Sequence, residues 1–493
     1  MHRRSMSSLA VGSALAVLLL AGAAEAKVAA GQRKEIVAAV DKAGPHMGEV
    51  AHQIWDHAEV GYQETKSSAL LQRELKAAGF TVEAGVAGMP TAFVARFRNG
   101  DGPVIAILAE YDALPGLAQK AEPARAPIAG QEAGHACGHH IFGAASVAAA
   151  QAVKAWMQAN NIKGELRVYG TPAEEGGSGK VYMVRAGLFK DVSATLHWHP
   201  SDSNDASQSI SLANVSGKFR FTGRAAHASA SPEKGRSALD GVEVMNVAVN
   251  YLREHIPDGT RIHYVVTDGG QAPNVVPDKA EVYYYVRHAD PLVVRDVIAR
   301  VQLAAEGAAM ATETKVAFEQ TGGVYNMLPN DTLGRLMDRN LREVGGVKYD
   351  AQDTAFAEAM AKQLPPTKAT LASAAQVDAY TLGGGGGGST DVADVSWVTP
   401  TAGMTAATWV PGTPAHSWQA VAAGGTPIAV KGGVVAAKTL ALTAADLLTD
   451  PATIAKAQAE LAERRGSDFV YKAMVGDRPP PLDYRRKASD PKP

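Results

Sequence analysis

The stretch VIAILAEYDAL, residues 104–114, is apolar for six positions without alternation and then turns acidic at Glu110 and Asp112. A strand with one face in water alternates apolar and polar residues. An unbroken run of this length reads instead as a strand covered on both faces, as in a parallel sheet between helices. Downstream, IFGAASVAAAQAVKAWMQ (141–158) reads as a helix and GELRVYGTPAEE (164–175) as a strand ending in an acidic loop. GKVYMVRAG (179–187) reads as a short helix and SATLHWHP (193–200) as another strand. Upstream, residues 31–80 have helical spacing and end at Gly79, and TAFVARF (91–97) reads as a strand. Strands alternating with helices predict an α/β domain with a mixed, largely parallel sheet.

The pattern changes near residue 208. SISLANVSGKFRFTGRAAH (209–227), RIHYVVTDGG (261–270) and KAEVYYYVRHA (279–289) alternate as antiparallel strands do, with helices expected near 236–254 and 292–312. Residues 208–322 therefore read as an α+β domain inserted between two parts of the larger domain, 27–207 and 323–476. Within the second part, GRLMDRNLREVG (334–345) and GGVVAAKTLALTAADLLT (432–449) read as helices. The six glycines at 383–388 suit neither a helix nor a strand interior; they form a flexible linker or a loop passing close to a ligand. The proline-rich end, residues 477–493, reads as a disordered tail.

The chain has 493 residues, 46% hydrophobic and 20% charged, and a net charge of −2 without a large basic block, which argues against a nucleic-acid partner. His2, Arg3 and Arg4 precede an apolar run, residues 9–24, that closes on Ala24-Glu25-Ala26. This is the layout of a signal peptide cleaved after Ala26, implying a periplasmic or secreted protein. No later run reads as a membrane span.

GHACGHH (134–140) holds the one cysteine of the chain, Cys137, between His135 and His139. In an exported protein an unpaired cysteine is intermolecular or chemically employed. Other chemistry-bearing residues fall at strand ends: Glu110 and Asp112, Glu174 and Glu175, His197 and His199, and later His416 in GTPAHSW (412–418). Thiolate, imidazole and carboxylate are the ligand set of zinc and similar divalent metals. Adjacent glutamates suit a division of labour, one holding metal and the other moving a proton. A cysteine nucleophile activated by histidine is an alternative. It leaves the acidic pair and the later histidines without a role.

The motifs AEYDALP (109–115), GHACGHH, TPAEEGGSGK (171–180), GRAAHASASPEKGRSALDG (223–241), PNVVPDKAEVYYYVR (273–287), GSTDVADVSW (388–397) and GTPAHSW together resemble the M20 metallopeptidase and amidohydrolase family. The resemblance spans about residues 35–450 and is nearest to the branch that includes the B-type chain of aminobenzoyl-glutamate hydrolase. It implies a catalytic domain with two divalent metal ions and an inserted lid domain that forms a homodimer. It further implies that Cys137 bridges the metals and that His139, Glu175 and His416 are ligands. Glu174 is then the general base, and Asp112 supports the metal site. Ungapped counting from the acidic pair makes His199 the last ligand, whereas the spelling "LH" favours His197; we take His199. In the lid, His227 matches a histidine that reaches the reacting carbonyl, often from the partner protomer. Asn274 and Arg287 match positions that hold the substrate carbonyl and carboxylate, and Ser389, Thr390 and Asp391 are expected in the pocket. Zinc is the expected metal, with manganese or cobalt as alternatives. The implied substrate is a small N-acyl or N-aroyl amino acid, or a short peptide, with a free carboxylate. A non-catalytic member of a larger complex is a second alternative. His140 departs from the pattern, which has aspartate there, and the hexaglycine is longer than the pattern leads one to expect.

Overall fold

The computed structural model describes residues 28–385 and 387–485. The segment expected to be a signal peptide, residues 1–26, lies outside the described residues. Strands Thr81–Ala84, Phe93–Arg98, Glu165–Gly170, Val104–Ala109, Ala194–Leu196 and Thr401–Ala402 lie side by side in that order. The first two are antiparallel to their neighbours and the last four are mutually parallel. The sheet is thus mixed and mainly parallel. In strand Val104–Ala109, Ile105, Ile107 and Ala109 join one hydrophobic core, while Ala106 and Leu108 join the core on the opposite face. Burial on both faces is why this run does not alternate.

The first core is closed by helices Ala30–His57, His139–Ala159 and Pro427–Thr449. The last of these is long and apolar enough to cross a membrane, contrary to the expectation that no later segment would be. In the fold 78% of its most apolar window is buried in protein, the situation of a core helix.

The inserted domain is an antiparallel sheet of strands Arg261–Asp268, Lys279–His288, Ala213–Thr222 and Lys315–Val324, in that order, backed by helices Ala238–Leu252 and Pro291–Ala311. The helices start where the sequence supplies caps: Ser237 accepts from the Asp240 amide, and Asp290, followed by Pro291, accepts from the Leu292 amide. Strand Lys315–Val324 was not read from the sequence. Its outer part is half-exposed and it ends in Gly322-Gly323, so it lacks a strong apolar face; pairing with Ala213–Thr222 along its length forms it.

The expectation of a disordered tail from residue 477 is corrected for residues 477–485. Arg185 donates to the Gly476 and Arg478 carbonyls, Gln63 donates to the Leu482 carbonyl, and Leu482 and Tyr484 pack against the second core. Prolines in this segment stiffen a chain that has its own contacts, so composition alone misleads.

Candidate active site

Because four strands run parallel, the loops after three of them meet at one edge of the sheet. Ala109 is level with Gly170, and Ile107 with Leu196. That register brings Glu110 and Asp112, Glu174 and Glu175, and His199 together. The turn into helix His139–Ala159 adds Cys137 and His139, and the loop before helix Trp418–Gly424 adds His416. Gly138 has φ 75°, and a Cβ there would stand 2.5 Å from Pro200 Cβ. Only glycine lets the chain pass between Cys137 and His139 this close to the His199 segment. Ala173 and His416 also take positive φ, 57° each, an uncommon conformation held by the surrounding loops.

Ligand atoms of Cys137, His139 and His199 lie within 4.8 Å of one another; so do those of Cys137, Glu175 and His416, and those of His139, Glu174 and Glu175. The geometry selects His199 over His197. His199 donates from Nδ1 to the Pro200 carbonyl (2.7 Å), leaving Nε2 to face Cys137 Sγ at 3.4 Å. The His197 ring is packed against Gly403 instead, and burial pushes its pKa down to about 3.

Asp112 is a positioning residue. Its Oδ1 accepts from His139 Nδ1 (2.9 Å) and its Oδ2 from the Glu175 amide (2.9 Å), so one carboxylate sets the His139 tautomer and ties down the acidic loop. His139 Nε2 and Glu175 Oε1 are buried without a well-directed hydrogen bond, although Glu110 Oε2 stands 3.1 Å from the first. Those are the atoms a bound cation would take, and the donor set fits a borderline divalent metal. His416 Nε2 lies 3.2 Å from Glu175 Oε1.

Electrostatics agree with a cation site. Burial pushes the Glu174 carboxyl well up, and Glu175 beside it adds to the rise. Burial likewise raises the Cys137 thiol, with Glu175 and Glu174 opposing the thiolate. A cysteine nucleophile needs the reverse, a depressed pKa, whereas metal coordination stabilises a thiolate directly.

The other two histidines of GHACGHH face away. His135 donates to the Ile54 carbonyl and His140 to the Gly424 carbonyl, and burial keeps both neutral. The departure at His140 therefore ties two segments of the catalytic domain together.

A cavity of about 380 Å³ opens on the cluster, lined among others by Glu174, Glu175, Arg287, Ser389, Asp391 and His416. Gly388, at the end of the hexaglycine, lines it too. The expectation that the glycines suit no strand is corrected for the first three, because Leu382–Gly385 pairs in parallel with Gln208–Ile210, a partner supplied by a distant segment. His227 and Asn274 are not among the lining residues. They stand together and exposed on the inserted domain, joined through Ala228 N to Asn274 O (3.0 Å). Lys180 carries no role in the sequence reading, although it closes the motif TPAEEGGSGK. It is fully buried and bridges Glu110 (2.6 Å) and Asp391 (2.7 Å) behind the site. Glu64 was also missed; it accepts from the Ala173 amide and from Thr91 Oγ1.

Fold and site together define an α/β protein with a cysteine-, histidine- and glutamate-rich centre suited to divalent metal. Residues 106–419 match the model of peptidase family M20/M25/M40, and the chain belongs to that family of metallopeptidases and amidohydrolases. It is 40% identical over 442 residues to the B-type chain of the two-chain p-aminobenzoyl-glutamate hydrolase of Escherichia coli K12, covering 84% of this chain and 91% of the relative. The companion chain of that hydrolase, from the same organism, is 26% identical over 357 residues, covering 62% of this chain and 81% of that one. Among solved structures, a dinuclear metal-binding peptidase of the M20 family from Bacillus subtilis aligns with a TM-score of 0.55 at 19% identity. That alignment covers 83% of this chain and 99% of the other.

Proposed function

We propose that this chain is an exported, dinuclear metal-dependent amidohydrolase that cleaves N-aroyl or N-acyl amino acids with a free carboxylate, of the p-aminobenzoyl-glutamate type. The observation that carries the reading is the convergence of Cys137, His139, Glu175, His199 and His416 beside Glu174, with Glu174, Glu175 and His416 lining a cavity that Arg287 also lines. The relative's name and the dinuclear metal binding of the B. subtilis peptidase support it. Export rests on the first 26 residues alone.

Zinc, with manganese or cobalt as alternatives, would supply Lewis-acid activation of water and of the amide carbonyl when bound by these five residues. Glu174 takes the proton of the attacking water and returns it to the leaving amine. Asp112 holds His139 and the acidic loop in register. Arg287 offers a planar fork to the substrate carboxylate. His227 and Asn274 complete the site from a second copy of the chain, in a homodimer formed by the inserted domain. Their exposure and their absence from the lining of this chain's own cavity support this. So does the edge strand Arg261–Asp268, whose Tyr264, Val265 and Val266 are exposed.

The test is elemental analysis and turnover of p-aminobenzoyl-glutamate by the metal-loaded protein. We expect about two divalent ions per chain and complete loss of turnover in a strong chelator. Glu174→Gln should keep the metal and lose at least about a hundredfold in kcat. Full activity in chelator with Cys137 essential would establish the cysteine-nucleophile alternative instead.

A further inference from the structure

Two arginines line the cavity, and they come from opposite ends of the fold. Arg287 projects from the inserted domain, and Arg485 arrives on the C-terminal segment, beyond the residues matched by the family model. Each guanidinium lies over the tyrosine two or one residues before it, Tyr285 at 5.3 Å and Tyr484 at 5.0 Å. In each, the Nε is buried and without a hydrogen-bond partner. A planar guanidinium at the wall of a cavity matches, through its remaining N–H groups, the geometry of a carboxylate that enters it.

The segment that carries Arg485 has a built seat. Tyr484 Oη donates to the Glu175 carbonyl at 3.0 Å, and an Arg485 terminal nitrogen donates to the same oxygen at 2.8 Å. The Tyr484 ring meets Tyr62 edge-on, 5.7 Å between centroids. A Cβ on Gly61 would stand 2.3 Å from Tyr484 Oη, so the seat depends on glycine at 61. One terminal nitrogen of the guanidinium is thus spent on the backbone of a metal-type residue, while the group as a whole stays at the cavity wall.

Charge decides what the Arg485 guanidinium serves at the cavity wall. Glu174, Glu175 and Asp391 also line this cavity. One carboxylate on a substrate is accounted for by Arg287. A substrate carrying a second carboxylate would meet that acidic wall unless a second cation received it. We propose that Arg485 is a specificity-determining residue that binds the second carboxylate, selecting N-acylated acidic amino acids over neutral ones. This rests on the amidohydrolase reading above.

The experiment uses the full-length, zinc-loaded protein and two substrates that differ only in side-chain charge, p-aminobenzoyl-glutamate and p-aminobenzoyl-glutamine. Arg485→Met should lower kcat/KM for the glutamate substrate about ten- to a hundredfold, mainly through KM, and change that for the glutamine substrate less than about threefold. Arg485→Lys should recover part of the selectivity. Tyr484→Phe, which removes a hydrogen bond to the loop but keeps the cation, should leave the glutamate-to-glutamine ratio unaltered. Equal losses on both substrates in Arg485→Met would overturn the proposal and make Arg485 a support of the Glu175 loop. Undiminished selectivity in that variant would overturn it as well. If the parent hydrolyses neither substrate, the amidohydrolase reading itself fails and this proposal falls with it.

Discussion

Replacing Lys180 with methionine removes the one cation between two buried carboxylates. Lys180, Glu110 and Asp391 are each at most 1% exposed, with contacts of 2.6 and 2.7 Å. At an effective dielectric of about 20, each contact has a Coulomb energy of roughly 6 kcal/mol, most of it offset by the desolvation the folded state already bears. The variant keeps the desolvation and loses the attraction. We therefore expect a stability loss of about 3–5 kcal/mol, the range for breaking a buried pair from one side. Arg96→Met is the control. Its pair with Glu83 has the same 2.7 Å length, but the partners are 33% and 59% exposed, so the loss should be about 0.2–1 kcal/mol. The comparison is a urea titration of chelator-treated protein, followed through the buried Trp55, Trp156 and Trp198. The deficit also has a pH signature. Burial already raises Glu110 above its ordinary 4.5, and Lys180 is the largest influence lowering it. Without Lys180 the folded carboxyl holds its proton where the unfolded one releases it. The variant's deficit should be smaller at pH 5 than at pH 8. A loss no larger than that of Arg96→Met, or one independent of pH, would refute the reasoning.

Three further outcomes follow from the geometry. Asp112→Asn should weaken metal binding about 10- to 100-fold in competition with a chromogenic chelator, because the amide cannot accept from both His139 Nδ1 and the Glu175 amide. Burial, with Asp112 adding to it, raises Glu64 to about 8 against an ordinary 4.5. A raised carboxyl loses stability as pH climbs through that window, so Glu64→Gln should gain on the parent between pH 5 and pH 8, by no more than about 5 kcal/mol, in paired urea titrations. Val265 is 56% exposed on the edge strand. Val265→Lys should shift the proposed homodimer toward monomer in sedimentation velocity, with activity falling in step if His227 serves the neighbouring site.

The layer architecture was legible in the amino-acid sequence alone, and so were the candidate metal-type residues that the fold brings together. An apolar run without alternation at 104–109 has one comfortable place, between two cores, and the strand-end positions of Glu110, Asp112, Glu174, Glu175 and His199 follow from local pattern. The antiparallel character of the inserted domain was legible in the same way, since alternation is a local property. What depended on distant partners was not. Strand Lys315–Val324 exists because Ala213–Thr222 pairs with it. His197 and His199 have the same chemistry two residues apart, and only packing against Gly403 and Cys137 separates them. Lys180 looks like a helix-start lysine until Glu110 and Asp391, 70 positions before and 211 after it, close around its ammonium group. Tyr484 and Arg485 sit in a proline-rich segment whose composition predicts disorder, and their place at the cavity is set by Gly61, Tyr62 and the Glu175 carbonyl. A linear pattern reports which face of an element is apolar. It carries no record of which distant group will neutralise a buried charge or accept a hydrogen bond, and those partners, chosen when the chain closes on itself, decided the second half of this site.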